Sequence, residues 1–551
     1  MEFTSVNKIF EASFKKHWDR PAISNYQGVT LHYRDVARRI EKLHIMFEEC
    51  GLQKGDKVAL CSRNQANWAV AFLSTMTYGA VPVPLLHEFK SSNIHHLVNH
   101  SEAKILFVDD VIWEGLTETE MPDLHAIIQV NTFKLLYAAD EKITEAREHL
   151  NELFGRKYPN VFTPDALDYY EDSAEELAII NYTSGTSGFS KGVMIPYRAI
   201  LSNLEFGRKV LPELDHTKNM VSMLPSAHMY GLMFELLYEL SVGAHVHFLS
   251  RVPSPKIIMQ AMSDVKPYLV IAVPLVIEKI YKSKVKPILE KEGIRFLMKV
   301  PGLNQVVMNK IKTELVNAFG GEFYQVIIGG AAFNKEVEAF FKKIGFPVTV
   351  GYGMTECAPI ITYDDWNVEK LYSCGKAAPN LEVRIDSTDP ANVPGEILIK
   401  GANVFLGYFK NEEATKSVFT EDGWFKTGDM GVIDQDGSLF IKGRSKCMIL
   451  GPSGQNIYPE EVETVINSQP YVVDSLVVED NGGLTALIYP DFAQGAKDGM
   501  DQDAFVKYLE GTLPELNKEL PNYAKLKKIE VMSEDFERTP KKSIKRYLYQ
   551  R

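Results

Sequence analysis

Cysteine is scarce: Cys50, Cys61, Cys357, Cys374 and Cys447 are five in 551 residues. Their number is odd and no two form a CxxC pair, which argues against a disulfide framework or a cysteine zinc site. An excess of positive charge is also missing. Sixty Lys and Arg stand against 72 Asp and Glu, a net charge of −12, so wholesale nucleic-acid binding is not expected. No uninterrupted apolar run approaches a membrane span, and Met1-Glu2-Phe3-Thr4-Ser5 lacks the basic segment and apolar core of an export signal. These absences give the expectation of a cytoplasmic protein without transmembrane anchoring. There is no internal repeat. What is present is an ordinary globular composition, 45% hydrophobic, enough for about two to four domains.

Tyr182-Thr183-Ser184-Gly185-Thr186-Ser187-Gly188-Phe189-Ser190-Lys191-Gly192-Val193 follows the apolar run Leu177-Ala178-Ile179-Ile180. Glycines let backbone N–H groups turn towards an anion; the hydroxyls of Thr183, Ser184, Thr186 and Ser187 add donors, and Lys191 adds charge on a long arm. The stretch suits a polyphosphate, or it is a polar surface turn. It is not the P-loop of ordinary nucleotide hydrolases, since Ser190 replaces that motif's second glycine and Gly192 its Ser or Thr.

Along the rest of the chain a βαβ rhythm runs from Lys57 through Val130, and residues 132–175 interrupt it with a charged helix and a loop. Val6, Ile9, Phe10 and Phe14 form one apolar helical face, for docking on the body of the protein or contact with a membrane surface. Leu224-Pro225-Ser226-Ala227-His228-Met229-Tyr230-Gly231 precedes a helix whose Leu232, Met233, Leu236, Leu237 and Leu240 share a face. Strand-like Gln325-Val326-Ile327-Ile328 ends in the small residues Gly329-Gly330-Ala331-Ala332. Pro347 to Val350 leads into Gly351-Tyr352-Gly353-Met354-Thr355-Glu356, where a hydroxyl and a carboxylate stand just past a strand. Glu356 is a hard oxygen ligand suited to Mg²⁺ on phosphates. Residues 381–443 read as a β-rich subdomain carrying Thr427-Gly428-Asp429, and a compact ββα-type segment follows Gly443. The expected fold is α/β: a large N-terminal domain, 1–443, with mainly parallel sheets flanked by helices and a β-rich subdomain at 381–443, then a small α+β C-terminal domain, 444–551. The latter ends in a basic stretch, Arg538 to Arg546.

In this order, and across nearly the whole chain, these stretches resemble the adenylate-forming acyl-CoA synthetases, more closely the long-chain fatty acid–CoA ligases. Gly443-Arg444-Ser445-Lys446 and Gly454-Gln455-Asn456-Ile457-Tyr458-Pro459 complete the set. The resemblance implies ATP, Mg²⁺ and CoA, and a mobile C-terminal domain hinged near Lys446. It implies that Thr183, Ser184, Gly185, Thr186, Ser187 and Lys191 hold the β- and γ-phosphates, that Thr355 contacts the α-phosphate and that Glu356 holds the metal. Gly330 and Ala331 would flank adenine, with Tyr352 stacked on it; Asp429 would take the ribose hydroxyls and Arg444 the ribose or phosphate. His228 would sit beside the acyl carboxylate, and the acyl chain among Met229, Leu232, Met233, Gly329 and Gly330. Gly451, Ser453, Gly454 and Gln455 would line a passage for the CoA thiol.

Two positions depart from the family pattern. Ser190 stands where the loop usually has proline, and Ser543 where the adenylation lysine normally sits, leaving Lys542 or Lys541 to serve. The implied reaction is activation of a fatty acid to acyl-AMP and transfer to CoA. Transfer to a carrier protein, or a nucleotide-binding homologue that has lost catalysis, are the other readings. Peripheral contact with the inner face of a membrane, through the basic C-terminal stretch or the face near Phe10, is a further expectation.

Overall fold

The structure, a computed structural model, describes residues 4–183, 191–250, 254–450, 456–480, 483–539 and 543–551. Apolar runs too short for buried helices become strands covered on both faces, and the periodic stretches between them become the covering helices. A seven-stranded sheet runs in the order Val348–Val350, Gln325–Ile328, Leu269–Ala272, Asn219–Ser222, His245–Phe248, Pro21–Asn25, Thr30–His32. Every neighbouring pair is parallel except the last. A five-stranded sheet places Val81–Leu85, Lys57–Cys61, Ala103–Val108 and Ala126–Gln129 in parallel, with Leu135–Ala138 antiparallel at its edge.

That edge strand corrects the sequence reading of 132–175 as one helix and a loop. Leu135–Ala138 pairs across a tight turn closed by the amide of Phe133 on the Gln129 carbonyl, and two short helices follow, Glu141–Glu148 and Leu150–Lys157. The strand's residues are only half-buried, so alternation was too weak to mark it.

Residues 381–444 form a four-stranded antiparallel sheet, Leu381–Asp386, Gly395–Gly401, Phe425–Ile433 and Leu439–Arg444. Beyond it, Val472–Asp480, Gly483–Pro490 and Leu526–Val531 make a three-stranded sheet covered by helices. The main core of this C-terminal part, from Ile457 and Val462 to Ile529, draws only on residues beyond Ser445. Of the terminal basic stretch, the described residues on either side of 540–542 pair with each other. Arg538 and Ile544 pair in an antiparallel bridge, and the Thr539 amide donates to the Ser543 carbonyl at 2.8 Å.

The N-terminal helix Val6–Lys16 starts at Ser5, whose hydroxyl accepts the Lys8 amide. Its apolar face is sealed against the body: Phe10 and Phe14 have no exposed surface. The helix after His228 departs more from its amphipathic pattern. Met233–Leu237 adopt a π-turn, and all residues from Gly231 to Leu240 are buried, Glu235 and Glu239 included. Neither side-chain oxygen of Glu239 finds a partner elsewhere in the fold, and burial pushes its carboxyl up to about 8. The native state therefore holds this proton above the ordinary value of 4.5, and stability falls as pH rises from there to about 8. Glu239→Gln is expected to gain stability over the parent across that window. Parallel pH profiles of the two denaturation midpoints would show Glu239 ionised in the fold.

Candidate active site

Four motif-bearing loops leave the carboxyl ends of four adjacent parallel strands. In sheet order these are Gly351–Glu356 after Val348–Val350, Gly329–Ala332 after Gln325–Ile328, Val273-Pro274 after Leu269–Ala272, and Met223–His228 after Asn219–Ser222. Such an edge collects ligands in open α/β sheets, because backbone polar groups and helix starts converge there. Parallel pairing gathers residues more than a hundred positions apart in the sequence.

The cluster is centred on Asp429, buried on Phe425–Ile433 of the antiparallel sheet. Tyr352 Oη donates to Asp429 Oδ2 at 2.7 Å, and Arg444 Nε lies 3.2 Å from Oδ1. The Asp429 carboxylate raises the Arg444 guanidinium, and burial, then Asp429, raises the Tyr352 phenol. Both stay protonated as donors around one carboxylate, and Arg444 remains largely open to solvent. Arg444 is opposite Asp429 in the strand register, so the ion pair is set by the ladder. The three side chains come from the end of the parallel sheet, the β-rich subdomain and the threshold of the C-terminal segment.

A second cluster is assembled by Tyr408, which the sequence reading passed over. Its hydroxyl donates to Glu356 Oε1 at 3.0 Å, while the Lys191 ammonium lies 4.6 Å from its ring centroid. One tyrosine thus holds a carboxylate at its tip and an ammonium at its face. Strand Gly407–Tyr408 pairs with Lys191–Pro196, which fixes the ring beside Lys191. Leu177–Thr183 and Lys191–Pro196 are themselves antiparallel, with Thr183 opposite Lys191, so the glycine-rich stretch joins two strands of a hairpin. Ser184, Gly185, Thr186 and Ser187 lie outside the described residues. Glu356 offers one buried carboxylate, and among the described residues no group of three or more metal-ligating side chains occurs. This fits a Mg²⁺ ion held by a single carboxylate with phosphate oxygens and water supplying the rest.

Gly330 is exposed at φ +86°, and a Cβ there would have only Val273 Cγ1 within reach, at 3.8 Å. Glycine's left-handed backbone keeps this surface flat and open. Ala331 is exposed beside it, and Gly329 is buried because the Tyr230 ring would come within 3.2 Å of a Cβ. Tyr230 Oη donates to the Ile327 carbonyl at 3.0 Å, so its ring lies across the strand end. Met229, Leu232 and Met233, expected along the acyl chain, are packed in the main core with at most 2% exposure.

The loop bearing His228 is held from three directions. Glu235 Oε2 accepts from the Ser222 hydroxyl at 3.1 Å and from the amides of Met223 and Leu224 at 3.1 and 3.0 Å. Asn64 donates to the Leu224 carbonyl and accepts the Ser226 amide at 2.7 Å. Asn181, two residues before Thr183, donates to the Ala227 carbonyl at 2.8 Å. His228 itself is half-buried and precedes helix Met229–Leu232. Only a carboxylate inside an apolar helix, Glu235, hinted at this clamp from sequence. Thr355 is half-buried at the start of a 3₁₀ turn, Thr355–Cys357. Lys446 is exposed in the turn Ser445–Cys447, directly after Arg444. Gly451, Ser453, Gly454, Gln455, Lys541 and Lys542 lie outside the described residues.

A strand-end site with an open glycine surface, a carboxylate flanked by Tyr and Arg, and a separate carboxylate–ammonium pair suits a nucleotide-handling enzyme. The family models agree. Residues 10–409 match the AMP-binding enzyme family and 448–551 its C-terminal domain, so the chain belongs to the AMP-binding enzymes. Its class is the AMP-forming acyl-CoA ligase. A long-chain-fatty-acid–CoA ligase of Escherichia coli O6:H1 is 26% identical, covering 92% of this chain and 88% of that protein. The ligase FadD15 of Mycobacterium tuberculosis is 25% identical over 93% of this chain and 89% of its own length. ATP-bound MatB from Rhodopseudomonas palustris shares the fold, with a TM-score of 0.77 at 24% identity, covering 99% of this chain and 98% of that one. O-succinylbenzoate coenzyme A synthetase from Bacillus subtilis, in complex with ATP and magnesium ion, gives 0.74 at 22%, covering 98% of each chain.

Tyr408→Phe keeps the ring under Lys191 but removes the donor to Glu356. A hydrogen bond to a charged group contributes about 1.5–3 kcal/mol, or roughly tenfold to a hundredfold in an equilibrium or rate constant. Acid-dependent pyrophosphate release is expected to fall within that range and to need more Mg²⁺. An unchanged Mg²⁺ dependence would separate Tyr408 from any binding of metal at Glu356.

Proposed function

We propose that this AMP-forming ligase activates a fatty acid as acyl-AMP and passes the acyl group to CoA. The observation that carries the reading is the convergence of the four strand-end loops on the Asp429–Tyr352–Arg444 cluster and the Lys191–Tyr408–Glu356 group. The choice of a fatty acid draws support from the names of the curated relatives, all long-chain acyl-CoA ligases among those quoted.

A carboxylate is a poor electrophile at neutral pH and needs a leaving group before a thiol can attack. The acid's oxygen attacks the α-phosphorus of ATP, the bond to the β-phosphate breaks, and pyrophosphate leaves. Lys191, with the hydroxyls of Thr183, Ser184, Thr186 and Ser187, would offset charge on the departing phosphates, and Thr355 would donate to the α-phosphate. Mg²⁺ held by Glu356 would supply Lewis-acid neutralisation of the same oxygens. Gly330, Ala331 and Tyr352 would hold adenine, Asp429 the ribose diol and Arg444 the adjacent oxygens. His228, steadied by the clamp on its loop, would orient the acyl carboxylate. CoA sulfur then attacks the acyl carbon and AMP leaves, with Gly451, Ser453, Gly454 and Gln455 lining the thiol's approach.

The two-domain reading, 1–443 and 444–551 hinged near Lys446, is supported by the separate C-terminal core. Ser543 departs from the family lysine. The Thr539 amide bonds the Ser543 carbonyl, and Lys541 and Lys542 fall between these two residues in the sequence. Lys542 is the proposed adenylation lysine. Among the described residues no helix is long and apolar enough to cross a membrane; a cytoplasmic enzyme that meets its substrate at a membrane surface is part of the proposal.

The test incubates pure protein with ATP, Mg²⁺, CoA and acids from acetate to long-chain fatty acids, with mass detection of products. The expected products are acyl-AMP and then acyl-CoA, rising with chain length. Acyl-AMP without acyl-CoA would replace CoA with another acceptor, and neither product would overturn the reading. Lys542→Ala is expected to cut adenylation by orders of magnitude while sparing thioester formation from supplied acyl-AMP. Undiminished acyl-AMP formation would remove Lys542 from the mechanism.

A further inference from the structure

Residues 279–314 run against the acidity of the whole chain. They hold nine basic residues, Lys279, Lys282, Lys284, Lys286, Lys291, Arg295, Lys299, Lys310 and Lys312, against Glu290, Glu292 and Glu314, in a protein of net charge −12. Helix Pro274–Ile280 continues through a π-turn at Tyr281–Val285 to Lys286–Leu289, followed by helices Glu292–Lys299 and Leu303–Ala318. The inner side is anchored: Ile277, Ile280, Tyr281, Val285, Met308, Ile311 and Leu315 belong to one buried core. The outer side is not. Phe296 is 68% exposed, Val306 64%, Leu275 52% and Leu303 45%, and helix Glu292–Lys299 has no buried residue. Lys279, Lys282, Lys284, Lys291, Arg295, Lys299 and Lys310 are exposed around these apolar groups.

We propose that this helical surface docks the enzyme on an anionic lipid bilayer, with Phe296, Leu303 and Val306 entering the headgroup boundary and the surrounding cations facing acidic headgroups. An amphipathic, lysine-rich surface with a large exposed aromatic group matches the physical requirements for lying in that interface. Charge complementarity selects an anionic surface, because the segment's excess charge is positive where the rest of the chain is negative. The other two candidates are already engaged within the protein. Phe10 and its neighbours are core, and the terminal cations pair internally: Arg538 with Asp474, Lys545 with Glu537, Arg546 with Glu463 and Arg551 with Asp480.

The surface is also joined to the active site. Helix Pro274–Ile280 begins at the carboxyl end of strand Leu269–Ala272, with Val273 facing Gly330. On the same helix Glu278 accepts the Asn334 amide at 3.1 Å, just past Gly329–Ala332. Docking through these helices therefore brings the Gly329–Ala332 loop towards the bilayer. The argument from charge and exposure is independent of which acid is activated.

The experiment sediments the full-length protein with vesicles of phosphatidylcholine alone and of an equal mixture of phosphatidylcholine and phosphatidylglycerol. Binding is expected to the mixed vesicles only and to weaken with added salt. Phe296→Asp, and separately the combined Lys291→Glu, Arg295→Glu and Lys299→Glu, should each reduce it by about tenfold or more. Both variants should retain parental ligase activity on a short, water-soluble acid, which also reports their folding. No binding by the parent, equal binding to neutral vesicles, or undiminished binding by both variants would overturn the proposal. So would a change in oligomeric mass in the variants without a change in vesicle binding. Vesicle binding with no ligase activity on any acid would reject the proposed function and leave the docking surface standing.

Discussion

The arrangement of the site depends on one buried carboxylate. Asp429 takes the Tyr352 hydroxyl on one oxygen and the Arg444 guanidinium on the other, and so ties the end of the parallel sheet to the β-rich subdomain and to the start of the C-terminal segment. Arg444 is largely open to solvent, so water can take its place and its removal costs far less than the loss of a partner from a fully buried pair. In the proposed function a nucleoside over Gly330 would meet Tyr352, Asp429 and Arg444 together. The C-terminal segment leaves the subdomain within two residues of Arg444, at the exposed turn holding Lys446. Nucleotide contact and the proposed domain rotation are thus mechanically adjacent.

The same logic recurs at the His228 loop. Glu235 is completely buried, and burial raises its carboxyl well above the usual range, opposed by the Met223 and Leu224 amides and the Ser222 hydroxyl. A polar group so placed belongs to loop positioning and contributes nothing to packing. Because Asn181 stands on the strand leading to Thr183 and holds the Ala227 carbonyl, the phosphate-side hairpin and the His228 loop share a fixed spacing. Tyr408 adds a third tie between Lys191 and Glu356.

Much of this was legible in the sequence, and the limits are physical. Strands covered on both faces announce themselves as continuous apolar runs, so Lys57–Cys61, Leu269–Ala272 and Gln325–Ile328 and the loops that follow them could be read directly. Their order in the sheet could not, because hydrogen bonding between strands distant in sequence decides it. Half-buried Leu135–Ala138 carried no clear alternation and was taken for part of a loop. Met229, Leu232 and Met233 share an apolar pattern that fits core or substrate equally, and the structure shows them buried. Tyr408, Asn64 and Asn181 stayed unseen because their importance lies in partners 52, 160 and 46 residues away.

The measurement that bears most directly on the account is acid-dependent exchange of labelled pyrophosphate into ATP, comparing the parent with Asp429→Asn. Asparagine keeps the shape and removes the charge that Arg444 and a ribose diol would both use. The account predicts exchange only when a carboxylic acid is present, and half-saturation by ATP raised about tenfold or more in the variant with its response to the acid little changed. Exchange without acid, or an ATP dependence identical in the two proteins, would contradict the placement of the nucleotide at Asp429 and with it the central claim.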